Sequence, residues 1–268
     1  MKTRADLSVR DVPSPNFRER PGGRKPDMLI LHYTGMKSAE EAIARLSDRA
    51  AEVSCHYVVE ENGDVVRMVA EPLRASHAGV SCWRGEHNLN DAAIGIEIVN
   101  PGHAFGYRPF PPAQIESVIA LCADIVRRRR IAPDRVLGHS DVAPDRKQDP
   151  GELFPWADLA AAGIGHWVAP APVSEGVRFA RGDEGPPVGA LQSLLALYGY
   201  EIGVTGVFDA RTEIVVTAFQ RHFRPEKVDG VADRSTIETL HRLIAALKAV
   251  PRPEPGAEGA GQQGKAAS

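Results

Sequence analysis

The sequence predicts an α/β fold: a central mixed sheet flanked by helices, followed by a small C-terminal three-helix bundle. Three observations predict it. Short apolar runs of strand length alternate with amphipathic helical patterns through residues 27–162. A Gly-, Pro- and Ser-rich stretch without periodicity, residues 163–176, then breaks the pattern. From 177 to 249, apolar residues recur at helical spacing. The 268 residues, 43% of them hydrophobic, suffice for one medium domain and a smaller second one.

After an N-terminal extension, residues 1–26, DMLILHYT (Asp27–Thr34) has the continuous apolar character of a buried strand. Ser38-Ala39-Glu40-Glu41 has the form of a capping box and opens a helix expected to run to about Ala51. CHYVVEENGDVVRMVAE predicts a hairpin turning at Asn62-Gly63. IGIEIVN (Ile94–Asn100) is a short strand, apolar but for Glu97 and its terminal Asn100. PPAQIESVIALCADIVRRRR is an amphipathic helix with Ile115, Val118, Ile119, Cys122 and Val126 on one face. The arginines at its end complement the helix dipole and are expected to be solvated. PWADLAAAG gives a short helix with Pro155 near its start.

In the C-terminal region Val188, Leu191, Leu194, Leu195 and Tyr198 mark one helix. Val215, Ala218, Phe219 and His222 mark a second, and Ile237, Leu240 and Ile244 a third. GVFDART (Gly206–Thr212) returns as GVADRST (Gly230–Thr236). Each copy places an Asp, Asp209 or Asp233, where it would cap a helix. The tail, residues 250–268, lacks the apolar residues to pack and is expected to be disordered.

A formal net charge of −3 supplies no basic excess for nucleic acid, so no nucleic-acid partner is expected. Three cysteines, Cys55, Cys82 and Cys122, form no CxxC pair and argue against a disulfide framework. No apolar run approaches the ~18–20 residues of a membrane span, and the first 27 residues contain no signal-type apolar core. On that ground the expected compartment is the cytoplasm.

Chemistry concentrates in GHSDVAPDRKQDPGELFPW (Gly138–Trp156). His139 precedes Asp149 by ten residues, and Lys147 precedes it by two. A hydrolytic zinc site takes three protein ligands and leaves one position open. His139 and Asp149 could supply two, and His32, at the exit of the first strand, a third. A base is also required, and Glu97 is a carboxylate set in an apolar strand, costly there without a task or a partner. Each residue alone has a plainer reading. His32 could be a packed strand-end histidine, Glu97 a strand-edge acid, and Asp149 before Pro150 a turn initiator.

Taken in order, LHYTG, HAGVSCW, NLNDAAIGIE, IGIEIVN, GHSDVAP and RKQDPG resemble the zinc-dependent N-acetylmuramoyl-L-alanine amidases of the type 2 amidase family. That family also includes peptidoglycan recognition proteins and phage-type lysozymes. The resemblance covers about Asp27–Trp156. It implies one Zn2+ held by His32, His139 and Asp149, with Glu97 and Lys147 as catalytic residues. A catalytic tyrosine found in some relatives is replaced here by Cys55, which leaves the base role to Glu97.

The resemblance further implies substrate contacts from His77, Trp83, Asn90 and Asp91 at a groove rim, Trp83 being equally readable as a loop anchor. Asp141 would orient a ligand histidine, while His56, His87 and His103 stay outside the ligand set. Residues 177–249, with LQSLLALYGY, AFQRHFRPEKVDG and the repeat, resemble a three-helix peptidoglycan-binding domain. The implied activity is hydrolysis of the amide between N-acetylmuramic acid and L-alanine in peptidoglycan or muropeptides, by a monomer. The alternatives are a non-catalytic muropeptide-recognition module and a phage-type endolysin of the same chemistry. The binding domain points to the periplasm or cell envelope, against the cytoplasmic expectation above.

Overall fold

The computed structural model describes residues 2–247, so the expected tail (250–268) and the end of the expected helical region lie outside the described residues. Two short strands, β1 (Val9–Asp11) and β2 (Phe17–Arg18), precede the first apolar run, which forms β3 (Met28–Tyr33). Then follow α1 (Ala39–Ser47), β4 (Tyr57–Val59), β5 (Val65–Arg67), β6 (Arg74–Ala75), β7 (Cys82–Trp83), β8 (Glu86–His87) and β9 (Ala93–Ile98). After β9 come α2 (Pro112–Arg129), β10 (Val136–Gly138), α3 (His139–Val142) and α4 (Trp156–Ala161). The C-terminal part holds β11 (Arg178–Phe179), α5 (Pro186–Tyr198), α6 (Ala210–Phe223), β12 (Ala232–Asp233) and α7 (Arg234–Leu247).

The main sheet has the order β1-β5-β4-β9-β3-β10. Only the β4–β5 hairpin is antiparallel; every other pair is parallel. The sheet is therefore mixed, as expected. Strands β3 and β9 are neighbouring interior strands with both faces covered, which is why their sequences are nearly unbroken apolar runs. Their register sets His32 directly opposite Glu97.

Helix α1 starts where expected: the Ser38 hydroxyl accepts from the Glu41 amide at 3.2 Å. The box is only half formed, because the Glu41 carboxylate accepts from Lys37 N rather than from Ser38. The helix also stops early, at Ser47. Asp48 is extended and its carboxylate accepts from Ala50 N, so a separate 3₁₀ turn covers Arg49–Ala51. In the β4–β5 hairpin Gly63 has φ +90°, and an added Cβ would lie 2.6 Å from the Ala113 carbonyl oxygen.

Helix α2 buries Ile115, Val118, Leu121, Cys122 and Ile125, whereas Ile119 and Val126 are only partly covered. Its terminal arginines are not all solvated. Arg128 and Arg129 donate to the buried Glu71 carboxylate at 2.7–2.9 Å, and Arg127, the most exposed of the three, pairs with Asp124 instead.

The C-terminal repeat is structural and runs deeper than its seven residues. Asp209 accepts from both the amide and the hydroxyl of Thr212, and Asp233 does the same for Thr236. Gln192 then donates to Thr212 while accepting from the amides of Thr205 and Gly206. Gln220 treats Thr236, Asp229 and Gly230 in the same way.

Residues 163–176, expected as a linker, are irregular but pinned. Ile164, His166 and Ala171 are buried, and Ala171 exchanges hydrogen bonds with Thr239 and Ser235. The two parts of the chain share one hydrophobic core. Met28, Ile30, Trp83, Leu89 and Val142 pack in the same cluster as Val188, Leu195, Tyr198, Tyr200 and Phe219. Among the described residues, no helix is long and apolar enough to cross a membrane.

Candidate metal centre

His32 is the fifth residue of β3, and His139 opens α3 immediately after β10, the parallel neighbour of β3. Both therefore emerge at the carboxyl ends of adjacent parallel strands, the edge where ligands bind in open α/β sheets. Asp149 arrives from the loop after α3. That loop is anchored at Asp149 and Pro150, by the Asp149 carbonyl accepting from Ser140 N at 2.8 Å and by the Tyr107 hydroxyl donating to the Pro150 carbonyl at 2.7 Å.

The three side chains converge. His32 Nδ1 lies 2.9 Å from His139 Nδ1 and 3.1 Å from Asp149 Oδ2, and His139 Nδ1 lies 3.0 Å from the same oxygen. All three residues are buried. His139 Nε2 faces the Ala78 carbonyl at 3.1 Å, which can only accept, so that nitrogen carries the proton. The Nδ1 of His139 then presents a lone pair to the carboxylate and to His32. One proton on His32 cannot satisfy both neighbours, whereas a divalent cation held by all three would. The donor set, two imidazoles and a carboxylate with their outer nitrogens already engaged, fits zinc.

Burial pushes the His32 imidazolium down to about 4, and the neighbouring His139 pushes the same way. Burial alone would raise the Asp149 carboxyl, but His139 and His32 outweigh it and hold the acid well below the usual carboxylate range. Both ligands are thus in their metal-binding forms at neutral pH.

Glu97 sits beside His32 on β9, and its Oε2 is buried with no hydrogen-bond partner among the described residues. Burial, and then the charge of Asp149, raise its carboxyl well above the ordinary value, while Lys147 partly opposes them. Glu97, Lys147, Asp149, His139 and His77 all line one groove of about 490 Å³. Tyr33, His103 and Arg146 line it too. Tyr33 and Arg146 flank His32 and Lys147 in the motifs themselves, so adjacency was the signal available for them. Arg146 donates to the carbonyls of Ala78 and Val80 and so holds the opposite wall.

The residues expected at the groove rim divide. His77 lines the groove, but its Nδ1 lies 3.0 Å from His32 Nε2, so it orients a metal-site histidine from behind. It fits there because Gly95 has no side chain; an added Cβ would lie 2.4 Å from the His77 ring. Trp83 is not at the rim. It is fully buried, donates to the Asp134 carbonyl and packs edge-on against Tyr198 and Tyr200, leaving no face for a ligand. Asn90 is also buried, its Oδ1 accepting from the amides of His77 and Ala78, so it shapes the groove wall from behind. Asp91 pairs with Arg74 at 2.6 Å, away from the groove lining.

Asp141 does not touch the ring of His139. Its carboxylate accepts at 2.7 Å from each of Gly138 N, the Tyr200 hydroxyl and His222 Nδ1. The His222 ring lies stacked between Trp156 and Phe223. The start of α3, which carries His139, is thereby tied to the C-terminal helices. His56 stands apart, its Nδ1 accepting from Gly95 N and its Nε2 facing the Leu73 carbonyl. His103 stacks on Tyr107 and pairs with Glu152.

Fold and site together define an α/β protein with a buried His-His-Asp donor triangle at the strand ends, beside an unpartnered carboxylate oxygen and a lysine. Residues 22–152 match the family described as N-acetylmuramoyl-L-alanine amidase, and residues 184–240 match a peptidoglycan binding domain family. The chain is 40% identical to N-acetylmuramoyl-L-alanine amidase AmiD of Escherichia coli, over 81% of this chain and 82% of that one. The structure of the same AmiD in complex with anhydro-N-acetylmuramic acid-L-Ala-D-gamma-Glu-L-Lys superposes with a TM-score of 0.71, covering 85% of this chain and 92% of that one at 35% identity. AmpDH3 from Pseudomonas aeruginosa, in complex with anhydromuramic pentapeptide, superposes with a TM-score of 0.73 at 32% identity, covering 88% and 98%. The chain belongs to the N-acetylmuramoyl-L-alanine amidase family.

Proposed function

We propose that this protein is a zinc-dependent amidase that hydrolyses the amide between the lactyl group of N-acetylmuramic acid and L-alanine. Its substrate class is peptidoglycan or the muropeptides derived from it. The observation that carries the reading is the donor triangle of His32, His139 and Asp149, with Glu97 set in register beside it.

Zinc bound by these three side chains supplies Lewis acidity, polarising the scissile carbonyl and acidifying water. Glu97 takes the proton from the attacking water. A carboxyl whose proton affinity is raised by burial is the stronger base, and it can then return that proton to the leaving amine of L-alanine. Lys147, on the same groove, donates to the oxygen on which negative charge develops. His77 and the Ala78 carbonyl fix the outer nitrogens of the two histidines, so the ligand rings do not rotate. The groove that Tyr33, Arg146 and Lys147 line is where this reading puts the stem peptide.

The test is product analysis on metal-assayed protein, with whole sacculi and soluble anhydromuropeptides as separate substrates. Release of free stem peptides, lost with a chelator and restored by zinc, is expected. Protein that holds zinc and releases nothing from either substrate would overturn the assignment in favour of a recognition module.

A further inference from the structure

A second cluster of metal-type donors lies at the junction of the two parts of the chain, outside the groove. Cys82 and His87 face each other as a cross-strand pair in the β7–β8 hairpin, with Cys82 Sγ 3.9 Å from His87 Nε2. Glu201, just beyond α5, brings Oε1 to 3.8 Å from the same nitrogen. The three donor atoms all lie within 4.8 Å of one another.

We propose that Cys82, His87 and Glu201 form a second metal site, which takes a divalent transition-metal ion of the zinc class and joins the β7–β8 hairpin to the C-terminal helices.

Three arguments support it. The first is spacing. Tetrahedral zinc with one sulfur and two nitrogen or oxygen ligands sets its donors roughly 3.3–3.6 Å apart. The two separations that involve His87, 3.9 Å to Cys82 and 3.8 Å to Glu201, need to close by only a few tenths of an ångström. The third, between Cys82 and Glu201, is within 4.8 Å, and the exposed His87 and Glu201 side chains are free to adjust.

The second is rigidity of the supports. The hairpin turns tightly through Arg84 and Gly85, both at positive φ. Arg84 N donates to the Gly199 carbonyl at 2.8 Å. Trp83 packs so closely on Gly199 that an added Cβ would lie 2.6 Å from its ring. Tyr200, directly before Glu201, is fixed by its hydroxyl bond to Asp141. The backbone next to each ligand is therefore held, and little ordering entropy remains to oppose binding.

The third is donor chemistry. Thiolate, imidazole and carboxylate together suit zinc and its neighbours rather than calcium or magnesium. A cleft of about 480 Å³ opens beside the cluster and leaves a fourth position to solvent. Arg211, the nearby cation, donates to the backbone carbonyl of Glu201 and stands 3.9 Å from Oε2, leaving Oε1 to the metal.

Cobalt(II) titration of the full chain, with a non-thiol reductant present, tests the proposal. The His32, His139 and Asp149 site contains no sulfur, and among the described residues neither Cys55 nor Cys122 stands in a group of metal-type donors, so a thiolate-to-cobalt charge-transfer band reports Cys82. Two equivalents should bind, with that band developing as the junction site fills. Cys82→Ser should abolish the band, leaving the visible ligand-field bands of the sulfur-free site. Glu201→Gln, an exposed substitution, should weaken cobalt binding at the junction at least tenfold. Saturation without a charge-transfer band would overturn the proposal. A band whose midpoint is unchanged in Glu201→Gln would overturn ligation from the C-terminal part. Because the band reads sulfur only, neither outcome depends on the amidase assignment.

Discussion

Tyr200→Phe tests whether the C-terminal helices and the start of α3 act as one unit. The substitution removes a single oxygen. Tyr200 is buried, and its hydroxyl donates to Asp141 Oδ1 at 2.7 Å. A hydrogen bond to a charged group contributes about 1.5–3 kcal/mol, and the abandoned Asp141 oxygen would be left buried. We take about 2 kcal/mol. For a chain of this size each kcal/mol moves Tm by roughly 2–4 °C, so the expected drop is about 4–8 °C. Calorimetry should show one transition moving as a whole, because the core is continuous across both parts. Zinc affinity should fall as well, since Asp141 also caps the helix that opens with His139. Two resolved transitions with only one shifted, or a Tm change below about 1 °C, would refute the reasoning.

Other substitutions probe the site and the sheet. Glu97→Gln should lower turnover by about 10²–10⁴-fold with zinc content unchanged, and retained activity would remove Glu97 from the base role. Gly95→Ala should drive the His77 ring out of its place and so loosen His32, weakening zinc about 10–100-fold by competition with a chromophoric chelator. Unchanged affinity would mean that His77 does not orient His32. Glu71 supplies a pH prediction. Burial would raise its carboxyl, but hydrogen bonds from Arg128, Tyr57 and Arg129 hold it at about 2 against an ordinary 4.5. The folded state thus binds its proton less readily than the unfolded chain. Its stabilisation, at most about 3 kcal/mol, is complete above pH ~4.5 and lost as pH falls through about 2. Glu71→Gln should flatten the acid limb of a Tm–pH curve, and parallel curves would argue against the network.

What the sequence disclosed depended on how local each signal is. Strands β3 and β9 were legible because burial on both faces demands unbroken apolar runs. The Asp209 and Asp233 caps were legible because a cap and its helix lie three residues apart. The candidate ligands were legible through their motifs, although their closure into a triangle is a tertiary fact, His32 being 107 residues from His139. The failures share a cause. Trp83 in a polar loop reads equally as a groove aromatic or as an anchor, and the choice is made by Tyr198, Gly199 and Tyr200, more than a hundred residues later. Asp141 was expected to orient a ligand histidine, yet its partners Tyr200 and His222 are 59 and 81 residues away. Arg128 and Arg129 carry no sign of Glu71, which lies 57 and 58 residues upstream.

The shared core also governs the order in which the protein can be made. On the ribosome the sheet and all three ligands of the donor triangle emerge first, with Trp83, Leu89 and Val142 still lacking their cover. That apolar face stays open, exposed to chaperones and to other nascent chains, until α5 and α6 leave the exit tunnel. Only then do Tyr200 and His222 reach Asp141 behind the helix that opens with His139. Maturation of the amidase half thus waits on the C-terminal helices, and a chain stalled before α5 would present a sticky sheet instead of a working enzyme.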